Sequence, residues 1–165
     1  MKLAVEFPSI SYREGHAAVA KMAKGIEDIG YDQLDVYDHV VMGYDIEGRT
    51  KSYYPAQMPI IEAFMMLSYA AAVTERIGLG TEVLVLPQRQ PALVAKQVSS
   101  LDTLSNGRVR LGIGVGWQES PRNSSQGGEK QLLFLQTFQL IWQQPPQFRL
   151  LRLNRLELEL CHLFQ

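Results

Sequence analysis

The sequence predicts an α/β protein built on a parallel sheet, and three observations carry that prediction. β-prone and helical runs alternate strictly as far as Trp117, most connections between them are short, and Pro or Gly stands at most unit boundaries. A strand followed by a parallel strand needs a crossover that returns the chain to the starting edge, and a helix supplies it.

The first β-like run is residues 3–7. Gly15 leads into a helix over His16–Ile29, where Val19, Met22, Ala23 and Ile26 fall at helical spacing before Gly30 stops it. Within Tyr31–Val41, the β-prone stretch Leu34–Tyr37 ends in the polar pair Asp38-His39. A polar loop with Tyr and Gly runs from Gly43 to Gln57, and Pro59 is placed as the first residue of a helix reaching about Glu75. Ile77–Leu86 reads as a third strand closed by Pro87, and Pro91 opens a helix to about Leu104. Asn106-Gly107 suits a positive-φ turn, with no chemistry claimed for it. Val109–Ile113 forms a fourth strand, through whose end Gly112, Gly114 and Gly116 alternate into Trp117. Four strands and three helices result, and their periodicity fits a doubly wound sheet and a barrel alike.

Composition narrows the function classes. The chain has 165 residues, 46% of them apolar and 20% charged, which suits one globular domain. A formal net charge of -1 argues against a nucleic-acid or anionic-membrane footprint, which leaves small molecules or protein as partners. Glu6 interrupts the first apolar run, so that run is no signal peptide and a cytoplasmic location is expected. The apolar stretch Ala63–Val73 falls short of the ~20 residues needed to span a bilayer. The single Cys161 forms no internal disulfide and suggests no thiolate metal site.

Four segments are candidates for chemistry. Asp38-His39 lies at a strand's C-terminal end, where α/β proteins place reacting groups. An imidazole there exchanges a proton near neutral pH, with Asp38 fixing its tautomer or capping the loop; the plain alternative is that both satisfy loop backbone. Gly80-Thr81-Glu82-Val83 places a glycine inside a strand, which marks a bulge, a close approach by a ligand, or a small residue under a crowded helix. Gly112-Ile113-Gly114-Val115-Gly116 lacks the spacing of a dinucleotide fingerprint; its glycines either admit a ligand's flat face or relieve crowding. In Pro87-Gln88-Arg89-Gln90-Pro91, Arg89 either meets an anionic substituent or is a solvated surface residue.

The ordered run Ile77-Gly78-Leu79-Gly80-Thr81-Glu82-Val83-Leu84-Val85-Leu86-Pro87-Gln88-Arg89-Gln90-Pro91 is followed by Ala95-Lys96-Gln97, Leu101–Arg108 and Gly112–Trp117. Together with Asp38-His39, these segments closely resemble the luciferase-like monooxygenase superfamily. The overall pattern is most similar to the branch that uses the deazaflavin coenzyme F-420, and the resemblance covers about residues 1–120. It implies a TIM-type (β/α)8 barrel that binds an isoalloxazine or deazaflavin ring over the strand ends. It also implies a bulge and a non-prolyl cis peptide near Glu82 and Val83. His39 is the implied catalytic residue, lying by the ring and assisting hydride transfer with an alcohol, aldehyde or imine-like carbon. Asp38, Thr81, Glu82, Val83, Gly114, Val115 and Gly116 are the implied cofactor-binding residues. Where some relatives carry an acid after the fourth strand, this chain has Trp117, with Glu119 two positions on. The residues themselves do not separate F-420 from FMN, so an FMN-dependent monooxygenase stays open, as does a non-catalytic half-barrel subunit.

A complete barrel needs about 250 residues, and this chain supplies about four βα units. The loops after strands 7 and 8, which commonly hold a cofactor's phosphate, are expected to be missing. Open strand edges then favour self-association into a homo-oligomer. Past Glu119 the rhythm is lost: residues 121–165 contain no Asp and are dominated by Gln and Leu. This tail reads as the product of a shifted reading frame, with Phe134–Trp142 and Leu150–Leu163 as its helical candidates.

Overall fold

The computed structural model describes residues 1–41, 44–45, 47–48, 54–114 and 158–160. Its elements are β1 (Ala4–Glu6), α1 (His16–Ile29), β2 (Gln33–Val36), α2 (Ala63–Val73), β3 (Gly78–Val85), α3 (Pro91–Leu104), β4 (Val109–Gly114) and β5 (Leu158–Leu160). One-turn or two-turn 3-10 segments follow β1 at Ser9–Glu14 and β3 at Leu86–Gln88. The strands form one sheet in the order β1-β2-β3-β4-β5, with every neighbouring pair parallel. The four strands and three helices expected up to Gly114 are all present.

Two boundaries match the sequence reading to the residue. Helix α1 ends at Ile29 because Gly30 adopts φ 104, and its N–H closes on Glu27 O. Helix α3 starts on Pro91, with Gln90 as N-cap accepting Leu93 N–H at 2.5 Å. Helix α2 departs from expectation: it begins at Ala63 instead of Pro59, because the Glu62 side chain caps it by accepting Met65 N–H at 2.9 Å. The turn after α3 has the expected left-handed residues, Asn106 at φ 60 and Gly107 at φ 80. Within 150–163, the described residues 158–160 form a strand instead of a helix, in keeping with the every-second-residue leucines there. The expected boundary near residue 120 and the segment 134–142 lie outside the described residues.

The core lies between the helices and one face of the sheet. Leu34, Val36, Leu79, Leu84, Val109, Leu111 and Ile113 from the strands pack with Val19, Ala23, Ile26, Phe64, Leu67, Val94, Val98 and Leu101 from the helices. Of the four apolar residues at helical spacing in α1, Val19, Ala23 and Ile26 are buried and Met22 is 38% exposed. By strand alternation the second face carries Glu6, Gln33, Asp35, Gly78, Gly80, Arg110, Gly112 and Gly114.

A β-bulge resets that alternation in β3. Thr81 pairs with Leu111 and Leu84 with Ile113, so three steps on β3 oppose two on β4. Leu79 and Leu84 are an odd number of residues apart, yet both reach the core because of the extra residue. The bulge contains the non-prolyl cis peptide Glu82–Val83, at the place the family resemblance implies.

Two clamps fix the N-terminal end of the sheet. The Glu27 carboxylate, on α1, accepts the backbone N–H groups of Glu75, Arg76 and Ile77 just before β3. Burial alone would raise its pKa, but those three donors and the Arg76 charge hold it below the usual carboxylate value. Arg108, just before β4, donates to Thr74 Oγ1, Thr74 O, Ala71 O, Ile77 O and Ser105 O, joining the ends of α2 and α3 to β3. Among the described residues no helix is long and apolar enough to cross a membrane, and no group of three His, Cys, Asp or Glu is arranged to hold a metal.

Candidate functional site

All five strands are parallel, so their C-terminal ends form one rim, where Asp38-His39, Val85-Leu86 and Gly114 meet. Asp38 ties two of these exits together. Its fully buried carboxylate accepts Val85 N–H through Oδ2 at 2.9 Å and Arg89 Nε–H at 3.2 Å, and Arg89 Nη2–H through Oδ1. Arg89 in turn donates from Nη1 to Glu62 Oε1 at 2.6 Å, and its guanidinium stands 5.4 Å above the centre of the Phe64 ring. Burial opposes the Arg89 charge, but the hydrogen bonds and charges of Asp38 and Glu62 overcome it and raise its pKa. Both sequence readings of Arg89 are therefore corrected. Its side chain is 9% exposed and committed to two carboxylates, so it is neither a solvated arginine nor a waiting anion partner.

His39 follows directly and is half-buried. Burial lowers its imidazole pKa, outweighing the Asp38 carboxylate and a hydrogen bond to the Asp38 backbone, which act to raise it. The neutral imidazole is thus the resting form at pH 7. On its other side, Val40 N–H donates to Gln88 Oε1 at 2.9 Å.

The glycine-rich strands have a definite reason for their glycines. A Cβ on Gly80 would run into the Asp35 carboxylate and the Gln33 amide, which are joined by a 3.0 Å hydrogen bond. A Cβ on Gly112 would meet Thr81 O, and one on Gly114 would meet Val83 Cγ2. Of the two readings of this motif, relief of crowding describes what fills the space beside each glycine. The glycines accommodate the bulge and leave Val83 as a half-buried apolar side chain on the second face. Thr81 sits deeper, its hydroxyl donating to Gly112 O at 2.8 Å and accepting Gly112 N–H at 3.1 Å. Glu82 is exposed.

Of the implied cofactor-binding residues, the structure brings Val83 and Gly114 together and places Asp38 at the same rim. The polar atoms of Asp38 and Thr81 are engaged within the protein. Val115 and Gly116, and with them Trp117 and Glu119, lie outside the described residues. The sequence reading missed a second polar group at the rim. The Tyr37 hydroxyl hydrogen-bonds Glu6 and Tyr54; burial first, then these bonds and the Glu6 charge, push its pKa well up. The Tyr37 and Tyr54 rings lie 5.6 Å apart at 49°. Extending the period of two from Gln33 and Asp35 reaches Tyr37, so half of this group was available from strand alternation.

A parallel βα sheet with a bulged third strand and polar groups at its C-terminal rim places the chain in the class of α/β proteins that carry their sites at the strand ends. The match to known proteins makes this specific: the model of the luciferase-like monooxygenase family matches residues 3–131, and the chain belongs to that family. An uncharacterized protein of Mycobacterium tuberculosis is 37% identical over 107 residues, covering 59% of this chain and 36% of the relative. The match thus spans about a third of the length of that curated relative. Among solved structures, the oxygenating constituent of 3,6-diketocamphane monooxygenase from Pseudomonas putida, in complex with FMN, superposes with a TM-score of 0.65. The two are 19% identical, covering 86% of this chain and 40% of that one. The coenzyme F420 dependent tetrahydromethanopterin reductase of Methanopyrus kandleri gives a TM-score of 0.51 at 21% identity, covering 71% of this chain and 27% of that one. The fold is accordingly a portion of the luciferase-like TIM barrel.

Proposed function

We propose that this chain contributes the first half of an oxidoreductase site in which hydride moves between the deazaflavin coenzyme F-420 and a small organic substrate, with His39 handling the proton. The observation that carries this reading is the placing of a half-buried His39 at the exit of β2, whose neighbour Asp38 is bonded to the exit of β3. The residues present suit a flat tricyclic ring. Val83 offers a half-buried apolar surface at the bulge, beside the C-terminal rim where Asp38 and His39 stand. Val83, Glu82 and Gly114 would hold the ring, with Asp38, Thr81, Val115 and Gly116 supporting it. Bound there, a deazaflavin supplies a carbon that accepts or releases hydride.

His39 does the remaining work. As a substrate alcohol carbon loses hydride, its hydroxyl proton passes to the neutral imidazole; in the reverse direction the imidazolium returns that proton to the carbonyl oxygen. An FMN-dependent monooxygenase is the second reading, favoured by the likeness to the oxygenating constituent solved with FMN. Self-association through strand edges belongs to either reading, since a partial barrel leaves edges to be paired. A non-catalytic half-barrel subunit is the outcome if no coenzyme binds.

The test is a fluorescence titration of the purified full chain with F-420 and, separately, FMN, with size-exclusion on the same sample. Saturable F-420 binding weakened in His39→Ala supports the hydride-transfer reading, and FMN binding alone moves the assignment to the monooxygenase. Neither coenzyme binding to soluble protein rules out both.

A further inference from the structure

The segment Pro87-Gln88-Arg89-Gln90-Pro91 takes no direct part in the chemistry above, yet it reaches both neighbours of His39. On one side the Asp38 carboxylate receives Nε–H and Nη2–H of Arg89. On the other, Val40 N–H donates to Gln88 Oε1 at 2.9 Å. The segment is itself held fast. Arg89 N–H closes on Leu86 O at 2.9 Å, its Nη1 is bound by Glu62, and the Gln90 side chain caps α3. Proline at each end limits the remaining backbone freedom.

We infer that Gln88 and Arg89 are positioning residues that hold His39 at the rim by clamping the residue on either side of it. The inference deepens the proposed function, because it rests on the reading of His39 as the proton-handling group. A purely stabilising role would be met by the buried Arg89–Asp38 pair alone. The Gln88 bond lies at the surface, adds little to stability, and falls on the residue immediately after His39. Two anchors flanking one residue restrict its backbone from both sides, and this narrows the volume its imidazole samples.

The experiment uses the full chain with 13C-labelled histidine rings, the His39 signal being assigned by its loss in His39→Ala. Gln88→Met keeps the side-chain length without the oxygen, and Gln88→Glu restores an acceptor. Gln88→Met is expected to speed exchange of the Val40 amide about threefold, the effect of losing one weak surface hydrogen bond. It is also expected to shift or broaden the His39 ring signals while those of His16 stay in place, and Gln88→Glu is expected to return both to the wild-type pattern. Arg89→Lys, which loses the two-point contact with Asp38, is expected to act likewise on the Val85 amide and the His39 ring. Should Arg89→Lys unfold, Gln88→Met decides alone. His39 ring signals unmoved by Gln88→Met overturn the positioning role. Ring signals that move while F-420 titration is indifferent to His39→Ala leave the positioning role standing and overturn the catalytic reading of His39.

Discussion

Glu27 offers the sharpest test of how the scaffold is held. Glu27 is 7% exposed, and its carboxylate takes three consecutive backbone amides, Arg76 N–H at 2.7 Å, Ile77 N–H at 3.0 Å and Glu75 N–H at 3.0 Å. Removing the carboxylate does not cost three full bonds, because Glu75 and Arg76 are exposed and water can take over their amides. Ile77 is 1% exposed, so its N–H is left buried without an acceptor, a loss of about 1–3 kcal/mol. Glu27→Ala is therefore expected to cost about 2 kcal/mol. Glu27→Gln keeps an oxygen where Oε1 accepts from Arg76 and Ile77; it loses the charge and the Oε2 acceptor of the exposed Glu75 N–H, at about 1 kcal/mol. Urea unfolding followed by circular dichroism, with unchanged slope, gives both values. Equal losses in the two variants, or less than about 1 kcal/mol for Glu27→Ala, would refute the buried-amide argument.

The pH dependence of the same group has a fixed sign. The folded pKa of Glu27 lies below its ordinary 4.5, so in acid the unfolded chain binds the proton first. The stabilisation is fully present above 4.5 and is lost as pH falls through the lower folded value. Acidification is therefore expected to shrink the stability gap between wild type and Glu27→Gln.

Three further outcomes follow from the geometry. Arg108→Lys replaces five directed donations by one ammonium and is expected to cost about 2 kcal/mol in thermal or urea unfolding. Gly112→Ala drives its methyl into the backbone carbonyl of Thr81, whereas Gly114→Ala meets only a Val83 methyl that can rotate. The first is expected to lose about 1–3 kcal/mol and the second less, and the reverse order would show that β3 yields more easily than a valine side chain. If the chain oxidises an alcohol with F-420 as proposed, the rate is expected to fall as pH drops through a His39 pKa below 6.5, since a neutral imidazole would be the proton acceptor. An acid limb centred above 6.5 in the pH–rate profile contradicts that assignment.

Local signals made most of the scaffold readable. Gly30, Pro91 and Asn106-Gly107 act through their own backbone preferences, and the elements they bound appear where the sequence places them. The start of α2 was misjudged because Pro59 and Glu62 are both competent openers, and Glu62 reaches its capping amide. What escaped was long-range. Arg89 finds Asp38 and Glu62 at separations of 51 and 27 residues, and no local pattern distinguishes a buried ion pair from a surface arginine. The glycines of β3 and β4 were located correctly, but the neighbours that fill their space come from adjacent strands, which only the register reveals. The position of His39 just past a strand end was legible, although the sequence did not show that both its flanks are held.

Glu27 and Arg108 fasten the chain at the N-terminal end of the strands, whereas His39, Val83 and the Tyr37 group stand at the opposite end. Tolerance to sequence change is therefore lopsided along the strand axis. Loops exchanged at the rim without touching Asp38, Arg89 or Glu62 would leave the lower fastenings as they are, so one end of the sheet can be rebuilt while the other keeps its anchoring.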